Sequence, residues 1–140
     1  MIDIIPARPD MARVLTPQAA QISTGQVMSE QDLRGAIAGG LALAAVDGSR
    51  VLAVGGIVEI WPGRGLVWGL LAEEIGASMV PIHATVKRVL ACSTLPRIEA
   101  QVAASHEAGR RWAKLLGFQY EGTLRAFWQG HDYELYALVR

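Results

Sequence analysis

Apolar and polar residues alternate most cleanly near residue 100, where Ile98, Ala100 and Val102 interleave with Glu99 and Gln101. A period of two predicts a half-buried strand. Just beyond, the period lengthens. Ala108, Trp112, Leu115 and Leu116 fall at i, i+4, i+7 and i+8, one apolar face, with Arg110, Arg111 and Lys114 opposite. This spacing predicts a helix entered at Ser105, a good N-cap, with Glu107 at the positive end of the helix dipole. Gly117 supplies the left-handed residue that ends it, and Phe118 folds back on Trp112 or Ala113 as the contact of that cap.

The same patterning organises the rest of the chain. Ile2, Ile4 and Pro6 predict a short first strand, its proline unable to donate to a ladder. Asp10 caps a brief helix through Leu15, and Thr16-Pro17 restarts one with threonine at N-cap and proline at N1. Ser29 and Asp32 resemble a capping box, opening a helix with Leu33 and Ile37 on one face that ends at Gly39-Gly40. Gly25 and Gly35 weaken these helices. Three strands follow, Leu41 to Val46, Val51 to Ile60 and Leu66 to Ala72. Asp47-Gly48 and the Pro62 to Gly65 turn join them into an antiparallel meander. Gly55-Gly56 marks a bulge or a close backbone approach in the middle strand. A helix from Ser78 to about Cys92 carries Met79, Ile82, Val86, Val89 and Leu90 on one side, with Pro81 tolerated in its first turn. Tyr120 to Phe127 and Tyr133 to Val139 close the chain as a hairpin around Gln129-Gly130.

Composition narrows the class. The chain has 140 residues, half of them hydrophobic, with 13 basic against 13 acidic side chains and no net charge. One domain spanning 1–140, with a real core, accommodates this. No stripe of basic residues points to nucleic acid. Neutrality leaves little repulsion between copies, so self-association is easy to accommodate. A single cysteine, Cys92, excludes an internal disulfide and points to a reducing compartment such as the cytoplasm. Met1 to Leu15 carries Asp3 and Asp10 and no apolar centre, unlike a secretory signal. Gly35 to Val46 is far short of a membrane span, so a soluble protein without a membrane partner is expected.

A helix ending in Leu-Gly-Phe at 116–118, then Tyr-Glu-Gly at 120–122 and a closing Leu-Tyr-Ala-Leu at 135–138, resembles the C-terminal half of the GNAT acetyltransferase superfamily. The order of elements is similar over nearly the whole chain. The resemblance implies an α/β (α+β) fold, a mixed, mostly antiparallel sheet of about seven strands flanked by about four helices. A finer resemblance, carried by Leu15-Thr16-Pro17, Leu52 to Gly56, Val67-Trp68 and Gly109 to Trp112, is to the GNAT-related virion and assembly proteins of tailed phages. That group commonly lacks the pyrophosphate loop, and it implies other virion proteins as partners and the host cytoplasm or the virion as the location.

In GNAT enzymes acetyl-CoA lies between two splayed strands, its pyrophosphate on backbone N–H groups at the next helix start, a general anion site. The resemblance places that site at Leu71, Ala72, Gly76, Ala77 and Ser78. Gly76 fits the family pattern; Glu73 replaces a neutral or cationic residue, and Glu74 adds a second negative charge beside a polyanion. The family's proton-donating tyrosine falls at Ala113, and its helix-start asparagine at His106. Glu73, His106 and Tyr120 are the candidate catalytic residues, with Glu59 and Glu74 the other carboxylates near the central strands; each also reads as an ordinary turn, cap or strand-edge residue. His83, His106, His131 and Cys92 show no metal-ligand spacing, and Cys92, late in an apolar helix, reads as core. Trp112 also reads as core and Trp68 as part of a central strand. Trp61 and Trp128 sit near turns, as an exposed contact patch or as buried sheet ends. Two readings follow: a GNAT fold kept as a virion or assembly scaffold, or an acetyl-CoA-dependent N-acetyltransferase acting on a small or protein amine through an atypical loop.

Overall fold

The computed structural model describes residues 1–23 and 28–140. Gly25, one of the two glycines expected to weaken the early helices, lies outside the described residues. The strands are β1 (Asp3–Pro6), β2 (Gly40–Asp47), β3 (Arg50–Trp61), β4 (Arg64–Leu71), β5 (Arg97–Ala103), β6 (Gln119–Trp128) and β7 (His131–Val139). They form one seven-stranded sheet in the order β1-β2-β3-β4-β5-β7-β6. Every neighbouring pair is antiparallel except β4 and β5. Among the described residues five helices accompany it: α1 (Met11–Val14), α2 (Ala19–Ser23), α3 (Glu30–Ala38), α4 (Met79–Cys92) and α5 (Glu107–Leu115). The three short helices between β1 and β2 match the three start signals in that stretch, one more than the resemblance's total of about four helices accommodates.

Each face of the sheet has its own core. Met11, Leu15 and Leu33 pack from α1 and α3 onto Ala44, Val54 and Leu70. On the opposite face, Ile82, Leu90 and Ala113 of α4 and α5 cover Ala53, Ile57, Ile98, Ala100 and Tyr136. The meander has the expected turns, with Gly48 at φ +61 and Gly63, after Pro62, at φ +90. Gly55-Gly56 is a close approach, not a bulge. A Cβ on Gly56 would run into the Leu41 carbonyl, and the register is continuous through both residues.

Several local expectations are corrected. Asp10 stands at the N-cap of α1, but its side chain makes no cap; its carboxylate lies 3.4 Å from Arg8. Thr16-Pro17 does not start α2: Pro17 is extended and bridges Ala72, so the helix begins at Ala19. The N-cap of α5 is His106, because Ala104 and Ser105 belong to the turn leaving β5. Within α5 the buried residue is Ala113, while Ala108 and Leu115 are exposed; the helix is rotated so that Gly109, Trp112, Ala113 and Leu116 turn inward. Cys92 is exposed, since the inward stripe of α4 runs through Ile82, Val86, Val89 and Leu90. Glu99 does not face solvent: it is 3% exposed, held by Arg64 and Arg97.

Candidate functional site

The parallel pair β4–β5 is joined only from Arg64↔Arg97 to Val67↔Ala100. Beyond that point both strands continue, β4 to Leu71 and β5 to Ala103, without pairing with each other. Below the fork sits an ionic clasp. Arg64 grips Glu99 through two hydrogen bonds of 2.8 and 2.7 Å, and Arg97 reaches the same carboxylate at 2.7 Å. Arg97 also pairs with Glu121 of β6 at 2.6 Å, and Arg64 stacks on the Trp61 ring. Hydrogen bonds from Arg64 hold the Glu99 carboxyl below its usual range, against the opposing effect of burial.

Above the fork a cavity of about 1020 Å³ opens between the strands and reaches both faces of the sheet. On one side it is lined by Ile75, Gly76, Met79 and Ile82 and by His106 and Trp112. Met28, Leu66, Trp68, Phe127 and Tyr133 line the other. Phe127 is brought there by an irregularity in β6, where Ala126 takes φ +49 and its N–H donates to Asp132; its ring lies 5.6 Å from that of Tyr133. Trp112 bridges the two helices, its indole N–H donating to His83 Nδ1 at 2.9 Å. The wall is mainly aliphatic and aromatic, suited to an apolar ligand segment and short of charged groups.

Among the expected site residues, Leu71, Glu73, Gly76 and His106 line this cavity, while Ala72, Ala77, Ser78 and Tyr120 do not. Gly76 begins a 3₁₀ turn, Gly76–Ser78, with φ +47 and open space where a Cβ would stand. The amides of that turn largely serve the turn itself: Ile75 N–H donates to Ala72, Ser78 N–H to Ile75, and Met79 N–H to Gly76 and Ala77. Glu73 and Glu74 are exposed beside it. His106 is half-buried with its ring against Gly109, where a Cβ would come within 2.8 Å of Nδ1. Burial pushes its imidazole below the usual histidine value, which favours the neutral form. Ala113 is buried, and the neighbouring Trp112 carries no titratable proton. The Tyr120 hydroxyl lies 2.6 Å from Thr123 Oγ1 on exposed β6, its ring edge-on to Tyr136. Glu59, another carboxylate considered as a base, accepts from Gly63 N–H and so belongs to the β3–β4 turn. Trp61 and Trp128 are both exposed, at 58% and 49%. Among the described residues, no three His, Cys, Asp or Glu side chains gather as a metal site. No described helix is long and apolar enough to cross a membrane.

Sequence reasoning missed the contacts made by the segment from Thr16 to Gln21. Gln21 Nε2 donates to the Gly69 carbonyl and Gln21 Oε1 accepts from Leu71 N–H, both at 2.9 Å. Gln18 N–H donates to Leu71 O, and Glu73 N–H to Thr16 O. No periodicity marks a glutamine on a five-residue helix as buried. The one available signal was Thr16-Pro17, which reads equally as a helix start.

No protein-family model matches the chain, and no curated sequence matches it. Solved structures do. An IAA acetyltransferase from Bacillus cereus is similar over 100% of both chains, with 13% identity and a TM-score of 0.73. A spermidine N-acetyltransferase chimera from Vibrio cholerae and hSSAT matches over 99% of this chain and 95% of its own, at 14% identity and TM-score 0.74. A GNAT-family acetyltransferase from Bacillus anthracis matches over 99% and 94%, at 13% identity and TM-score 0.67. The chain has the GNAT fold, and at these identities the likeness is one of fold.

Proposed function

We propose that this GNAT-fold chain is a structural or assembly component of a tailed-phage virion whose acetyl-CoA motifs are degraded. The observation that carries this reading is the turn between β4 and α4. Where the fold's enzymes lay the pyrophosphate, this chain presents exposed Glu73 and Glu74, and the amides of Ile75, Ser78 and Met79 are spent on the turn. A polyanion there meets two carboxylates, with three of the turn's N–H donors already engaged. The proton source supports the same view: Ala113 occupies the tyrosine position, burial favours the neutral form of His106, and Tyr120 lies away from the cavity. The partners on this reading are other virion proteins or a second copy of the chain. Mass spectrometry of purified particles is expected to find it in virions or assembly intermediates; absence from both removes the proposal's support. Titration with millimolar acetyl-CoA is expected to give no heat and no change in Tm, although a ligand at 100 times its Kd stabilises by ~2.7 kcal/mol.

The cavity of about 1020 Å³ at the strand fork favours a second reading, an acetyl-CoA-dependent N-acetyltransferase with an atypical loop. Similar structures are described as acetyltransferases of IAA and spermidine. On this reading the acceptor is a small amine or a protein amine. Turnover of acetyl-CoA with spermidine or another amine, well above background, would decide for the enzyme.

A further inference from the structure

The upper part of β4 is a strand edge without a strand beside it, yet it is not bare. Ala72 N–H bonds Leu52 O across the antiparallel ladder, so Leu70 also faces β3. The N–H and C=O groups of Gly69 and Leu71 therefore point the other way, into the fork. Had β5 stayed in register three residues past Val67↔Ala100, Ala103 would stand opposite Leu70. In a parallel ladder that residue donates to Gly69 O and accepts from Leu71 N–H. The Gln21 carboxamide makes both of these bonds, Gln18 N–H takes Leu71 O, and Thr16 O takes Glu73 N–H. Gln21 is 4% exposed, although it is a polar residue on a short surface helix.

We propose that the segment Thr16–Gln21 is a built-in occupant of the β4 edge, an autoinhibitory contact that blocks the fork to any extended, amide-bearing chain until it withdraws. The entrant must offer what Gln21 now offers: an N–H donor for Gly69 O and an acceptor for Leu71 N–H on one side of an extended chain. A peptide strand has this pattern, and so does a flexible chain with two secondary amides. The segment is suited to leave. Directional polar bonds tie it to β4, and α2 has five residues, too few to be stable alone. Apparent affinity for an entrant falls in proportion to the fraction of molecules in which the edge is open. The inference concerns the fork on which the second reading rests, and it is argued from the β4 edge rather than from the pyrophosphate turn, so the two can fail separately.

Pantetheine, which has two secondary amides and no phosphate, is the probe that separates the two questions. It never meets Glu73 and Glu74 as a polyanion would, so a failed acetyl-CoA titration leaves its result untouched. The full-length Gln21→Met variant keeps side-chain length and removes both bonds; Gln21→Asn, too short to make both, serves if the first does not fold. The Leu71 amide is expected to exchange with solvent at least tenfold faster in the variant, while the Leu70 amide, bonded to β3, keeps its rate. Pantetheine is expected to bind the variant at least tenfold more tightly than the wild type by calorimetry. An unchanged Leu71 exchange rate overturns the proposal, as does equal pantetheine affinity in the two proteins or binding to neither.

Discussion

Glu99 illustrates how far a single position is legible. In sequence it is the polar half of an alternating strand, which puts it in water. In the fold both faces of β5 are covered, and the carboxylate is tolerable because two guanidiniums reach it. Removing the charge leaves Arg64 and Arg97 without their shared partner. Glu99→Gln is expected to destabilise by ~3 kcal/mol in urea denaturation, near the lower end for a broken buried pair because both arginines still reach water. The pH dependence follows from the lowered carboxyl value. Its stabilising contribution is complete above the unfolded carboxylate pKa of about 4.3 and is lost as pH falls through the folded value. The gap between wild type and Glu99→Gln should therefore narrow on going from pH 7 to pH 3. A gap independent of pH would mean that the clasp does not act through charge. His106 was legible as a helix-start residue, but not its half-burial against Gly109, which depends on how the β5–α5 turn packs.

At the scale of elements, local chemistry succeeds where the stop or start signal is self-contained. The Ser29–Asp32 capping box forms in full, each side chain accepting from the other's backbone N–H. At the end of α5, Gly117 takes φ +100, its N–H bonds Lys114 O, and Phe118 N–H bonds Ala113 O, the paired bonds of a Schellman cap. Gly117→Ala forces a side chain into the left-handed region at ~1–2 kcal/mol, a loss of roughly 4–8 °C in Tm by thermal denaturation. No change in Tm would show that this cap contributes nothing. Periodicity alone misjudged which face of α5 is buried, because its neighbours set the rotation. Trp112 is drawn toward His83 on α4, and Leu115, 69% exposed, is left at the cavity rim. The Thr16-Pro17 signal failed for a related reason. An extended pairing with Ala72 was available, and it competed with a helix of marginal length.

For the whole molecule, stability should follow the sheet from its centre outward. β3 is paired on both sides and covered on both faces, whereas β6 pairs only with β7 and is largely exposed. Amide exchange is therefore expected to be slowest in β3 and its partner strands and fast along the free edge of β6; slowest exchange in β6 would contradict this ordering. The fold class was legible only through the resemblance carried by residues 116–138, whereas the order of strands along the chain, the hairpin turns and the C-terminal cap of α5 were determined by the sequence itself. Each rests on interactions within a few residues or on the burial of a periodic face, both written directly in residue order. Only the tertiary structure decided where β4 and β5 part, which charges meet below the fork, and that Gln21 lies along the β4 edge. Those features join residues dozens of positions apart through hydrogen bonds and ion pairs, whose directionality leaves no periodic trace in the chain.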